Sequence, residues 1–199
     1  MAKAKSLSPA KEKLLKAAEE LMITRGYVAT SADDICHKAK VNRGSFFYYF
    51  KTKDDLAKEL IERFSKKVGA EMCCGVSSEK DPLKRVYRTV DNAIQMTKNP
   101  NMKGCLVGTL AQEISDSHPG LRACCETTFK GGIQMLKGDL EQAKKKYASK
   151  ADFDTKGLAE TFLAIAQGAN ILRKATKDKN LHTRALEHYK RYLKYLFGR

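Results

Sequence analysis

The sequence predicts an all-α chain of about nine helices, and three observations carry that expectation. Apolar residues recur with helical period in nearly every segment. No stretch shows the apolar–polar alternation of a half-buried strand. Four prolines and 13 glycines among 199 residues punctuate the helices without forming long linkers. A length of 199 residues fits one domain or two small ones, and 42% hydrophobic residues suffice for a core.

The elements follow in order. Ser8-Pro9 is an N-cap with proline at the first helical position. Leu14, Leu15, Ala18, Leu21 and Met22 then share a face, and Arg25-Gly26 stops the helix. A short helix starts with Thr30 and Asp33, or with Ser31 and Asp34, in a capping-box-like pattern, and turns Ile35 and Ala39 inward. A turn at Lys40-Val41 leads to Asn42, the cap of a third short helix. Lys51-Thr52-Lys53 breaks that helix, and Thr52 with Asp55 caps a fourth, faced by Leu56, Leu60, Phe64 and Val68.

Asp81-Pro82 opens a helix carrying Leu83, Val86, Tyr87, Val90 and Ile94, stopped at Asn99-Pro100. Gly104 precedes a shorter helix with Leu106, Val107, Leu110 and Ile114. His118-Pro119 opens a long one reaching about Ala148, with Gly131, Gly132 and Gly138 as its weak points. Asp152 or Asp154 caps the next, and the last runs from about Leu181. A domain boundary is expected near residue 65, within the fourth helix, separating an N-terminal domain (1–65) from a helical domain (66–199).

Several function classes drop out. No window holds 18 consecutive apolar residues, so no membrane span is expected. No helix joins a broad apolar face to a continuous basic one. The start, MAKAKSLSPAKEKLL, has no apolar signal region. A cytoplasmic chain follows, with its six cysteines reduced. There is no C-x-x-C, and His37, His118, His182 and His188 show no ligand spacing, so neither metal nor cofactor is expected. No nucleophile–base–acid set or phosphate-cradling loop marks an enzyme. The net charge of +15 predicts an anionic partner. The charge does not say where, because 13 basic residues face 9 acidic ones up to residue 65, and 25 face 14 beyond it.

Residues 31–48 form two short helices around a tight turn, the helix-turn-helix pattern, whose second helix enters a DNA major groove. Arg43 offers the fork that grips guanine O6 and N7. Gly44 permits close approach, and Ser45 bonds a base or phosphate. Tyr48, Tyr49, Lys51 and Lys53 flank the helix as phosphate contacts. Ser31 starts the preceding helix, where N–H groups and a hydroxyl hold a phosphate. Asn42 sits at the head of the reading helix. Phe47 and Phe50 are expected in the core, and Phe46 on a thymine methyl.

The block from Gly26 to Leu56, GYVATSADDICHKAKVNRGSFFYYFKTKDDL, resembles the DNA-binding domain of TetR/AcrR transcriptional regulators, above all in the aromatic cluster closing on Phe50, then Lys53 and Leu56. GCLVGTLAQEIS, residues 104–115, is similar to the family's ligand-binding half. Two positions depart from the pattern. Lys40 stands where glycine is common in the turn, and Phe47 where tyrosine is.

The resemblance implies a homodimer on a double-stranded operator, joined through residues 154–175 and 181–197. It also implies a small-molecule effector that releases DNA, with repression the default. Inward residues Phe64, Tyr87, Ile94, Leu110, Phe129, Ile133 and Phe162 are candidate effector contacts. Cys105 follows Lys103-Gly104 at a predicted helix start, where dipole and ammonium favour a thiolate. In some family members a cysteine in such a Gly-Cys stretch senses electrophiles or oxidants, which makes Cys105 the candidate of a thiol-sensing alternative. A helical protein that binds nucleic acid non-specifically is the remaining alternative; salt and competitor DNA separate it.

Overall fold

The computed structural model describes residues 8–99 and 103–198. Nine α-helices and no strand occur among them: α1 (Pro9–Arg25), α2 (Ala32–Ala39), α3 (Arg43–Tyr49), α4 (Lys53–Met72), α5 (Pro82–Thr97), α6 (Leu106–Ile114), α7 (Pro119–Tyr147), α8 (Thr155–Thr176) and α9 (Leu181–Phe197). Pro100 of the expected helix stop, and residues 1–7, where no signal region is read, lie outside the described residues.

Local capping sets most of the boundaries. Ser31, not Thr30, caps α2: its Oγ accepts the Asp34 N–H at 3.1 Å, while Asp34 Oδ2 accepts the Ser31 N–H at 2.9 Å. Thr30 is fully buried and donates to the Gly26 carbonyl at 2.7 Å. Thr52 and Asp55 exchange the same reciprocal bonds at the head of α4. Asp81 accepts from the Leu83 and Lys84 N–H groups at the head of α5. Hydrogen bonds from Lys146 and Tyr147 hold its carboxyl well below the usual carboxylate range. Asp154, rather than Asp152, caps α8.

The chain divides into two compact units, Met1–Ser65 with Gly104–Glu126, and Lys66–Lys103 with Thr127–Arg199. α6 and the first two turns of α7 thus group with the residues before Lys66, not with those that follow it. The reason is packing: α6 lies on α1, with Leu106, Leu110 and Ile114 fully buried. Leu14, Ala18 and Met22 of α1, Ile35 of α2, and Leu56 and Ala57 of α4 are equally inaccessible in this unit.

The second unit is built on α5, α7, α8 and α9. Its core joins Val86 and Val90, Leu136 and Leu140, Leu158 and Phe162, and Leu186, Tyr189 and Leu193. Tyr189 packs its ring 5.5 Å from that of Phe162 and donates its hydroxyl to the Leu158 carbonyl at 2.9 Å. Arg85 binds Asp139 at 2.6 Å between α5 and α7. α7 has the expected length, Pro119–Tyr147. It runs unbroken through Gly131, Gly132 and Gly138, each open to space where a side chain would stand.

His182, only 4% exposed at the start of α9, is held neutral. Burial is the main cause and Arg173 the second, and together they push its pKa down to about 4 from an ordinary 6.5. The unfolded chain therefore takes up this proton first. Its contribution to stability is complete above pH 6.5 and is lost as pH falls toward 4, to a limit of about 3 kcal/mol. Urea unfolding between pH 7.5 and 4.5 should show this slope in the wild type and a shallower one in His182→Leu. Equal slopes would contradict the assignment.

Candidate nucleic-acid interface

The site begins with two caps and a turn. Lys40 ends α2 in the left-handed conformation, φ 53° and ψ 47°, and its N–H closes on the Cys36 and His37 carbonyls. A non-glycine residue there costs about 1 kcal/mol. Asn42 follows as the cap of α3, its Oδ1 accepting the Ser45 N–H at 2.7 Å. Two helices of eight and seven residues are thereby fixed around a three-residue turn.

The faces of α3 are set by two aromatics one turn apart. Phe46 is fully buried and Phe50 is 2% exposed, with ring centroids 5.9 Å apart. The expectation that Phe46 reaches a thymine methyl is therefore corrected: its ring anchors α3 from beneath. Phe47, expected in the core, is 46% exposed, about 100° further round the helix. The outer face then carries Arg43, Gly44, Phe47 and Tyr48, all exposed, with Ser45 half-buried at its edge. The Arg43 guanidinium lies 5.6 Å from the Phe47 ring and 3.3 Å from Asp33 Oδ2 of α2. Both partners are exposed, so this ion pair is weak and yields readily to a phosphate or base.

The flanking residues divide. Ser31, Tyr48 and Lys51 are exposed. Tyr49 is half-buried, and its hydroxyl shares a 2.6 Å hydrogen bond with Ser8 Oγ at the head of α1. Lys53 has an inward role that its sequence position did not reveal. Its Nζ donates to the carbonyls of Tyr27 and Thr30, each at 2.9 Å, and lies 3.9 Å from the centre of the Tyr27 ring. Burial lowers its pKa. Lys53 ties the turn after α1 to α4.

The candidate effector residues fall in both units. Phe64, Cys105 and Leu110 belong to the first unit, and Tyr87, Ile94, Phe129, Ile133 and Phe162 to the second. Ile94 and Phe162 are core residues, with Tyr87 and Ile133 packed against that core. A groove of about 410 Å³, lined by Ala70, Glu71, Cys74, Asn92, Gln95 and Met96, includes none of them. Cys105 is half-buried and caps α6, its Sγ accepting the Gly108 N–H at 3.4 Å. Burial pushes the Cys125 thiol of the same unit up to about 11, with Cys124 and Cys105 adding to the effect. Among the described residues no three His, Cys, Asp or Glu side chains are placed to hold a metal ion, and no helix is long and apolar enough to cross a membrane.

Residues 82–189 match the family model for the tetracyclin repressor-like C-terminal domain, and residues 14–60 match that for bacterial regulatory proteins of the tetR family. The chain belongs to the TetR family. It is a DNA-binding transcriptional regulator. Among TetR-family proteins, it is 24% identical over 184 residues to the HTH-type transcriptional repressor NemR of Escherichia coli, covering 90% of this chain and 92% of NemR. It is 30% identical over 174 residues to the transcriptional regulator AcuR of Cereibacter sphaeroides, covering 83% and 76%. The crystal structure of a regulatory protein TetR from Rhodobacter sphaeroides superposes with a TM-score of 0.80 at 26% identity, over 96% of this chain and all of that one. The reduced form of E. coli NemR shares the fold, with a TM-score of 0.77 over 92% of this chain and 96% of that one.

Proposed function

We propose that this regulator is a homodimeric repressor that grips its operator with a pair of α3 helices and releases it when a small molecule binds. The observation that carries this reading is the outer face of α3. A guanidinium, a glycine and two aromatic rings stand exposed on a helix whose opposite face is locked by Phe46 and Phe50. In this reading Arg43, Gly44 and Ser45 meet base edges, with Asn42 at the head of the helix. Phe47 takes the apolar contact first expected of Phe46. Ser31, Tyr48, Tyr49 and Lys51 hold phosphates, and Lys53 supports them from behind.

TetR-family regulators bind DNA operators and act as dimers with small-molecule effectors. Here residues 1–65 serve as the reading domain, and 66–199 carry effector binding and dimerisation. Residues 154–175 and 181–197 form the dimer bundle, placing two reading helices at least about 34 Å apart, one helical turn of DNA. A ligand that prefers a differently spaced dimer lowers DNA affinity by the ratio of its affinities for the two states.

A second reading makes Cys105 the sensor, favoured by its thiol capping α6 and accepting the Gly108 N–H. N-ethylmaleimide tests both readings: the thiolate adds across the maleimide double bond, and the ring carbon takes a proton. Release of DNA from the wild type but not from Cys105→Ser is the result expected of a thiol sensor. Equal release from both removes Cys105, and no release from either leaves a non-covalent effector.

A further inference from the structure

Helix α2 is entered through the turn at residues 26–30, and that turn is held from three directions within the first unit. From α4, Lys53 Nζ binds the Tyr27 and Thr30 carbonyls, and Asp54 accepts the Tyr27 hydroxyl. From the α6–α7 junction, the His118 ring meets the Tyr27 ring edge-on, with centroids 5.1 Å apart. His118 Nε2 lies 4.0 Å from Asp54 Oδ1, and Ser117 Oγ shares a 2.8 Å hydrogen bond with His118 Nδ1. From the last turn of α6, Glu113 Oε2 accepts the Val28 N–H at 3.0 Å.

The Glu113 carboxylate also fills the space over Gly26. A Cβ at residue 26 would stand 2.0 Å from Glu113 Oε1. Gly26 is required by its φ of 93°, and a Cβ there would push the Glu113 carboxylate off the turn. The turn leads straight into Thr30, which is fully buried, and Ser31, which caps α2. Few degrees of freedom remain between Val28 and the first turn of α2.

We propose that Glu113 is a positioning residue for DNA binding: by holding the Val28 N–H and seating on Gly26, it lets α6 set the angle at which α2 and α3 face DNA. α6 is suited to this as a rigid peg. Its nine residues span about 13 Å. Leu106, Leu110 and Ile114 clamp one face of it, and its N-terminus is closed by Cys105. The proposal rests on α3 as the DNA-facing helix and adds the contact that aims it.

Glu113→Gln keeps a carbonyl acceptor for the Val28 N–H, whereas Glu113→Ala removes it. Each is compared with wild type in fluorescence anisotropy on a duplex recovered from random DNA and on bulk DNA. Amide hydrogen exchange is followed over residues 28–34. Glu113→Ala is expected to weaken binding to the recovered duplex roughly three- to tenfold, leave bulk-DNA binding unchanged and speed exchange across the turn. Glu113→Gln is expected within about twofold of wild type on the same measures. Undiminished binding by Glu113→Ala, a Gln variant as impaired as the Ala one, or equal losses on both DNAs would overturn the proposal. Should Arg43→Ala bind normally while Glu113→Ala still loosens the turn and weakens binding, the Glu113 contact stands and the assignment of α3 fails.

Discussion

Leu172→Asp is expected to convert the dimer to a folded monomer and to weaken binding to a full operator by about a hundredfold or more. Seven large hydrophobic side chains stand exposed among the described residues, and they fall into two groups. Val28, Phe47 and Tyr48 lie in the DNA-reading unit. Ile171 and Leu172 of α8, and Tyr192 and Tyr195 of α9, lie in the second unit, between 47% and 85% exposed. We propose that this concentration on two adjoining helices is the surface through which two copies pair. A stable dimer commonly buries about 2,000 Å² or more there.

An aspartate at residue 172 stays hydrated in the monomer, because that side chain is already open to water. In the dimer it would lose that water inside an apolar contact, at a cost of several kcal/mol. Two linked reading heads gain from millimolar effective concentration, and a monomer forfeits that gain, a factor of about 10² or more. Sedimentation equilibrium reports the mass, and anisotropy on full and half operators reports the affinity. A variant that stays dimeric, or binds the full operator as the wild type does, would place the dimer contact elsewhere.

What the sequence disclosed was mostly local. Asp81-Pro82, Asn42 and Thr52 with Asp55 announced helix starts because a cap and its N–H groups lie within three residues of each other. The choice between Thr30 and Ser31 was not local: Thr30 is drawn inward to the Gly26 carbonyl. Phe46 and Phe47 were exchanged because neighbouring aromatics on a seven-residue helix show no period of their own. Their relation to Phe50 held the answer. A core residue at 50 puts 46, one turn earlier, on the same face. Lys53 read as a phosphate ligand because its tie to the carbonyls of residues 27 and 30 spans more than twenty positions. The grouping of α6 with the first unit, and the Glu113 contact with it, depends on packing between segments 85 residues apart. The glycines of α7 leave it unbroken because each faces open space, where a missing side chain disturbs nothing.

Arg43→Ala carries the account furthest. The Arg43 side chain is 67% exposed, and its pairing with Asp33 gives way without large cost. The Phe47 ring beneath the guanidinium limits how it swings. A bidentate contact to guanine discriminates by about 1–3 kcal/mol, roughly a five- to 150-fold preference at one base pair in each half-site. The most direct test is a selection of bound sequences from random DNA with the wild type and with Arg43→Ala in parallel. The wild type should recover a two-fold symmetric site with half-site centres about 34 Å or more apart. Arg43→Ala should lose its preference at one symmetric pair of positions while keeping its affinity for bulk DNA. Recovery of the same site, with the same preference at every position, would contradict the claim that α3 reads the operator.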